Sequence, residues 1–149
     1  MLTEMELKVL LPFTKDTPVI RTDFQDDASW KSICDLIRQP RNETGQDFYA
    51  YVDFIENPNF RDRSEQELLA MVPRDYWHTF LFIVDKAASQ TPDFPVLVMD
   101  LSSEPGRTFR AIPSEIQGIQ NNLSIANMDF YEFADNADQD GVFRGFKRP

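Results

Sequence analysis

Short apolar runs divide the chain into predicted β-strands. We assign strands to the runs at residues 19–24, 48–55, 79–85, 96–101 and 108–112. The last two flank the sequence Glu-Pro-Gly, in which proline presets one φ angle and glycine permits a positive one, so we predict a hairpin there. The third run is apolar without interruption, which is typical of a strand covered on both faces.

Apolar residues spaced three or four apart predict the helices. One stripe runs from Trp30 to Ile37 behind the N-cap candidates Asp26 and Asp27. Residues 64–72 begin with capping-box spacing. A longer stripe covers 116–133, with a break near Asp129 that would cap a second short helix. The order β-α-β-α-β-β-β-α-α predicts an α/β (α+β) fold, a mixed sheet of about five strands with helices packed on it.

Length and charge limit the classes of protein to which this chain can belong. A chain of 149 residues suits one globular domain, which we place at 18–149 behind an N-terminal arm at 1–17. A net charge of −10 argues against nucleic acid and anionic membranes, which are polyanions, and favours either simple solubility or a basic protein partner. We find no signal-peptide pattern and no apolar run of membrane-spanning length, so we expect a cytoplasmic protein. The oligomeric state is not predictable from these features.

Four of the predicted strands contain or end in an aspartate: Asp23, Asp53, Asp85 and Asp100. In parallel strands these carboxylates would gather at the edge where open α/β sheets bind ligands, and crowding would raise their pKa values. In antiparallel strands they would be scattered, and each would simply cap a turn or helix. The sequence leaves both alternatives open.

No motif calls for a cofactor or a metal. Phosphate-binding glycine loops, nucleophile elbows, zinc spacings and dinucleotide fingerprints are missing from the sequence. Residues 136–141 begin like a calcium loop, but Lys147 occupies the place of the bidentate glutamate that such a loop needs. We therefore predict neither cofactor nor metal.

Isolated polar residues beside apolar runs are the candidates for a site. Asp100, His78 and Arg110 are our predicted catalytic residues, because they can transfer protons or hold an oxyanion. The predicted ligand contacts are Asn122, Asn127, Arg107, Arg21 and Asp23. Each also has a structural alternative: the histidine could pack on aromatic neighbours, the arginines could pair with aspartates, and the asparagines could cap a helix break.

Several segments resemble a small, uncharacterised family of bacterial and fungal domains. The likeness lies in TDF-DD-W at 22–30, HTFLF at 78–82, EPGRTFR at 104–110, NNLSIANMDF at 121–130 and DGVFRG at 140–145. It covers most of the chain after residue 17. The resemblance implies one domain and carries no function with it.

Two functions fit these observations. The first is a small cofactor-independent enzyme that acts on a largely apolar molecule by isomerisation, dehydration or cyclisation, including pericyclic reactions such as a Diels–Alder cyclisation. It follows from the 13 phenylalanines and the isolated polar residues. The alternative is an acidic protein-binding module of the inhibitor or immunity type, which follows from the charge. The partner is thus a small-molecule ligand or a basic protein.

Overall fold

The computed structural model describes residues 9–147, which form a six-stranded mixed sheet, a separate two-stranded hairpin and five α-helices. In chain order the elements are β1 (Thr17–Arg21), α1 (Asp27–Arg38), β2 (Arg41–Glu43), β3 (Gln46–Phe48), β4 (Val52–Ile55), α2 (Glu65–Ala70), β5 (Phe80–Val84), α3 (Lys86–Gln90), β6 (Val96–Asp100), β7 (Thr108–Ala111), α4 (Ile116–Ser124), α5 (Phe130–Ala134) and β8 (Val142–Phe143). Short 3-10 turns lie at Pro58–Phe60 and Pro113–Glu115. The predicted α/β class is confirmed.

The main sheet has the order β4-β1-β5-β6-β7-β8. β1 is parallel to β4 and β5, β6 is antiparallel to β5 and β7, and β8 is parallel to β7. Five strands therefore point one way and β6 points the other way. We call the edge at which those five strands end the carboxyl edge, and the edge at which they begin, where β6 ends, the amino edge.

Each face of the sheet has its own apolar core. Side chains of α1, α4 and α5 cover one face, and α2 with the segment before β1 covers the other. Strand β5 alternates between them: Phe80, Phe82 and Val84 belong to the first core, whereas Leu81 and Ile83 belong to the second. This two-sided burial confirms the prediction made from its uninterrupted apolar run.

Local capping accounts for where the helices begin. Asp26 accepts the N–H of Ser29 at 2.9 Å at the start of α1, and Ser64 and Glu67 form the predicted capping box of α2. Asp129 caps α5 with Glu132, so the predicted break after α4 is confirmed.

The predicted hairpin between β6 and β7 is also confirmed. Asp100 organises it, since its carboxylate accepts the N–H groups of Ser102 and Glu104 at 3.0 and 2.8 Å. Gly106 has a φ of +94°, and a β-carbon there would lie 3.0 Å from Leu69, so the turn requires glycine for both reasons.

Four elements escaped the sequence analysis because their sequences carry no apolar periodicity. The hairpin β2–β3 replaces a predicted polar loop and the first part of a predicted strand. The five-residue α3 and the two-residue β8 lie where we expected loops. Such short elements are held by neighbouring segments rather than by a stripe of their own.

The strand directions separate the four aspartates at the predicted strand ends. Asp23 and Asp85 follow β1 and β5 at the carboxyl edge, whereas Asp100 ends the antiparallel β6 at the amino edge. Asp53 lies within β4, where its carboxylate accepts the N–H of Asp16 at 2.8 Å. Of the two alternatives that the sequence left open, the structure therefore matches the scattered one, and local capping explains Asp85 and Asp100.

Part of the predicted N-terminal arm is packed on the domain. Leu11 is buried in the second core, and its N–H donates to the carbonyl of Met71 at 2.9 Å. The first eight residues of the predicted arm lie outside the described residues.

Candidate functional site

Two adjoining hollows, of about 150 and 350 Å³, form a groove along the amino edge. Both are lined by Thr79 and Phe80 where β5 begins, and by Leu123 and Ala126 where α4 ends. The smaller hollow extends past Asp100 and Asp129, and the larger one extends past Lys15, Trp77, His78 and Gln120. We call the joined hollows the amino-edge groove.

His78 lies in an aromatic cluster on the rim of this groove. Its ring centroid is 5.1 Å from that of Tyr76 and 5.7 Å from that of Trp77, and Phe13 lies 5.1 Å from Trp77. His78 Nε2 is 2.8 Å from the carbonyl oxygen of Thr14, so the histidine ties the segment before β1 to the domain. This contact matches the structural alternative for His78.

Tyr76 belongs to the same cluster, and a hydrogen bond to the segment before β1 fixes its position. Its hydroxyl donates to the carbonyl of Pro12 at 2.8 Å. Burial raises the pKa of Tyr76 to about 12, because the charged phenolate would lose its hydration.

The asparagines shape the wall of the groove at the end of α4. Asn122 Nδ2 donates to the carbonyl of Gly118 at 2.8 Å, and Asn127 Nδ2 donates to Asn122 Oδ1 at 2.8 Å. Ala126 between them has a φ of +54°, a left-handed conformation that is unfavourable for alanine. Of the two alternatives for Asn122 and Asn127, these contacts match the capping of a helix break.

Gln120 links the groove floor to the residue before β4, and the sequence patterns did not indicate it as a site residue. Its Oε1 accepts the N–H of Tyr51 at 3.0 Å, and its Nε2 donates to Ser124 at 2.8 Å. The signal in the sequence was its position on the apolar stripe of α4, where a buried amide needs partners.

Several large exposed apolar side chains lie in or next to the lining of the larger hollow. Trp77 is 59 % exposed and lines it directly. Phe13 packs on Trp77, the backbone N–H of Tyr51 donates to the lining residue Gln120, and Ile125 lies between two lining residues in the sequence. Apolar surface grouped in this way typically marks an interaction site. The pair Tyr76-Trp77 in a polar linker was the sequence signal, but we interpreted it only as packing for His78.

A second region, which we call the α1 cleft, lies between α1 and the strand β4. It measures about 510 Å³ and is lined by Arg21, Asp27, Trp30, Lys31, Cys34, Arg38, Phe54 and Glu56. Burial raises the pKa of the Cys34 thiol to about 11, which keeps it protonated and a poor nucleophile.

Arg21 is the buried charge of the α1 cleft, with its side chain 3 % exposed. Its Nε donates to the carbonyl of Asp23 at 2.7 Å and its Nη2 donates to Asp27 at 2.6 Å. The guanidinium also lies 4.6 Å from the ring centre of Phe24 and 5.5 Å from that of Trp30. Ion pairing and stacking thus hold this predicted ligand contact in place.

Asp23 follows Arg21 at the carboxyl edge and is buried. Its Oδ1 accepts the N–H of Gln25 at 3.2 Å, whereas Oδ2 has no hydrogen-bond partner among the described residues. Within residues 9–147, the other buried side-chain atom without a hydrogen-bond partner is Ser89 Oγ, in the helix that follows β5. Both therefore lie in segments that leave neighbouring strands at the carboxyl edge.

The other two arginines among the predicted site residues, Arg107 and Arg110, are engaged in ion pairs. Arg110 pairs with both carboxylate oxygens of Asp85, at 2.9 and 2.7 Å, and this hydrogen bonding raises the pKa of Arg110. Arg107 pairs with Glu104 and Asp135 beside the β6–β7 hairpin. The contacts match the ion-pairing alternative for both.

The structure therefore divides the predicted site residues between places. His78 and Asp100 line the amino-edge groove, and Asn122 and Asn127 support its wall. Of the others, Arg21 lines the α1 cleft and Asp23 follows β1 at the carboxyl edge, whereas Arg107 directly precedes β7 and Arg110 lies on it. Within residues 9–147, no three histidine, cysteine or carboxylate side chains are placed to hold a metal ion.

A family described as a domain of unknown function (DUF6924) matches residues 16–146. The chain belongs to this family. The match runs from just before β1 to just after β8, so the DUF6924 domain includes the whole main sheet and both regions described above. The resemblance to an uncharacterised domain family is confirmed.

Two further findings concern the similarity to known proteins and the membrane-spanning potential of the helices. A search of curated proteins finds no match for this chain. In the described part of the chain, no helix combines the length and apolar character needed to cross a membrane.

Proposed function

We propose that this DUF6924 domain is a protein-binding module that receives a partner in the amino-edge groove. The observation that carries the proposal is a group of exposed apolar side chains at a concave surface, among which Trp77 lines the groove directly and Phe13 packs on Trp77. Tryptophan and tyrosine are the residues that most often dominate binding energy at protein interfaces, and they do so around pockets that a partner can fill.

The charge of the groove indicates the chemistry of the partner. The charged residues that line the groove are three carboxylates, Asp16, Asp100 and Asp129, and one lysine, Lys15. The whole chain carries a net charge of −10, which would attract a basic protein and speed its association. We therefore expect the partner to present a basic segment with one or two large apolar side chains.

Selection from random peptides tests this proposal for a partner of any sequence. Peptides displayed on phage are selected against the full chain, and the Kd of the enriched sequences is then measured. We expect lysine and arginine beside aromatic or aliphatic residues, and weaker binding as the salt concentration rises, because salt screens exposed charges.

Two matched variants decide where the selected peptides bind. Trp77→Ala should weaken binding by about tenfold or more, as is typical of a hot-spot residue. Tyr131→Ala is the control, since Tyr131 is similarly exposed at 53 % but does not line the groove. Peptides without basic enrichment, or equal effects of the two substitutions, would contradict the proposal.

A cofactor-independent enzyme acting on a small apolar molecule is our second proposal. It is favoured by one observation, that His78 and Asp100 line the same groove. Turnover of candidate apolar substrates should then fall in both His78→Gln and Asp100→Asn. Turnover that both variants retain would contradict it. The engagement of both side chains with backbone groups is the reason that we place it second.

A further inference from the structure

We infer that the α1 cleft is a separate binding site for a small carboxylic acid with a flat aromatic body, anchored by Arg21. This inference is independent of protein binding at the amino-edge groove. It rests on the one nitrogen of a buried guanidinium that makes no hydrogen bond with the described part of the chain, and on the walls of the cleft that contains it.

The guanidinium of Arg21 has a free donor on the side that faces the cleft. Nε and Nη2 donate to Asp23 and Asp27, at 2.7 and 2.6 Å. Among residues 9–147, Nη1 has only a contact of 3.6 Å with Glu56 Oε2, which is too long for a good hydrogen bond. Asp27 and Glu56 both line the cleft, so the outer part of the guanidinium points toward it.

The walls of the cleft suit a flat ring. Trp30 and Phe54 meet edge to face with their centroids 6.0 Å apart, and Arg38 lies 4.4 Å from the ring centre of Phe54. An aromatic body in the cleft would contact these rings and the arginine, while its acid group reached Nη1 of Arg21.

The charges of the lining favour a single negative charge. Three cations, Arg21, Lys31 and Arg38, line the cleft with two carboxylates, Asp27 and Glu56. Lys31 and Arg38 pair with the exposed Asp35, at 2.7 and 3.6 Å, so Arg21 is the cation left to anchor an acid group. A monoanion would replace the loose contact of Glu56 with a charge-assisted hydrogen bond.

The same surroundings disfavour a phosphate. No glycine lies between β1 and α1, so the loop there is not a glycine-rich phosphate cradle. Asp26 and Asp27 occupy the start of α1, where a phosphate would otherwise interact favourably with the helix dipole. A carboxylate carries less charge and needs only the one free donor, so we propose a carboxylate ligand.

Nuclear magnetic resonance of the ¹⁵N-labelled full chain tests the inference, with 2-naphthoate as the probe. The chain has two tryptophans, and their indole N–H signals report separately on the α1 cleft and the amino-edge groove. We expect 2-naphthoate to shift the Trp30 signal saturably and to leave the Trp77 signal in place. The uncharged 2-naphthalenemethanol should bind about tenfold more weakly, because it lacks the charge-assisted hydrogen bond.

A pair of exposed carboxylate variants locates the site without disturbing the buried arginine. Glu56→Gln should tighten naphthoate binding by about threefold, because it removes the carboxylate that competes for Arg21. Glu104→Gln, at the amino edge, is the control and should leave the Kd unchanged. Equal binding of acid and alcohol, a shift of Trp77 in place of Trp30, or equal effects of the two variants would overturn the inference.

Discussion

The amino-edge groove and the α1 cleft are built on the same sheet in opposite ways. At the rim of the groove the rings of Trp77 and Phe13 are exposed, and the polar side chains His78 and Asp100 are hydrogen-bonded to backbone groups. In the cleft Trp30 is buried, and the charged group Arg21 keeps a free donor. The first arrangement suits the burial of apolar surface against a protein, and the second suits the recognition of one polar atom.

The difference also shows which aromatic residues stabilise the fold. A ring that is buried on folding contributes through packing, whereas a ring left exposed contributes little until a partner covers it. The two tryptophans make this contrast testable, since one lies in each region.

The largest expected effect is the difference between the two tryptophans. Trp30 is 8 % exposed, and Trp30→Ala should lower the free energy of unfolding by about 3–5 kcal/mol. Trp77→Ala should lower it by less than about 1 kcal/mol, because most of that ring is already in water. Urea unfolding followed by circular dichroism measures both. Similar losses of unfolding free energy in the two variants would contradict the proposed difference between buried and exposed rings.

Alkaline pH should weaken the aromatic cluster at the amino edge. Tyr76 has a pKa of about 12 in the folded protein, above its ordinary value of 10.0, so the unfolded chain releases its proton first. The stabilising contribution is therefore complete below pH 10 and is lost as the pH rises to about 12, by up to about 2 kcal/mol.

The measurement for Tyr76 is urea unfolding at several pH values between 9 and 12. Tyr76→Phe is the control, since it keeps the ring and removes the titrating hydroxyl. The free energy of the wild-type chain should fall more steeply across this range than that of the variant. Parallel curves would contradict the assignment to Tyr76.

The smallest expected effect is a gain in stability at the wall of the groove. Ala126 has a φ of +54°, and Ala126→Gly should raise the free energy of unfolding by about 0.5–1 kcal/mol, because glycine adopts this conformation without strain. Ala87→Gly, inside α3 and exposed like Ala126, is the matched control and should lower stability, since helix interiors disfavour glycine. A loss at both positions in chemical unfolding would refute the strain argument.

Much of the fold was predictable from the sequence, and the candidate sites were not. The stripe from Trp30 to Ile37, the uninterrupted apolar run of β5 and the caps at Asp26 and Asp129 are local signals, and each predicted its element. The missed elements, α3, β8 and the β2–β3 hairpin, have no such signal and depend on what lies beside them.

By itself the sequence determined which residues face a core, where helices and turns begin, and the α/β class. Periodicity encodes these features because burial repeats with the geometry of each element. Only the tertiary structure decided that β6 runs against β5, which places Asp100 and Asp85 at opposite edges. It likewise brings Trp77 to Phe13 and Glu56 to Arg21, pairs that are distant in the chain. Such long-range contacts depend on how whole strands and helices pack together. A local pattern of apolar residues does not specify which distant residues will contact it.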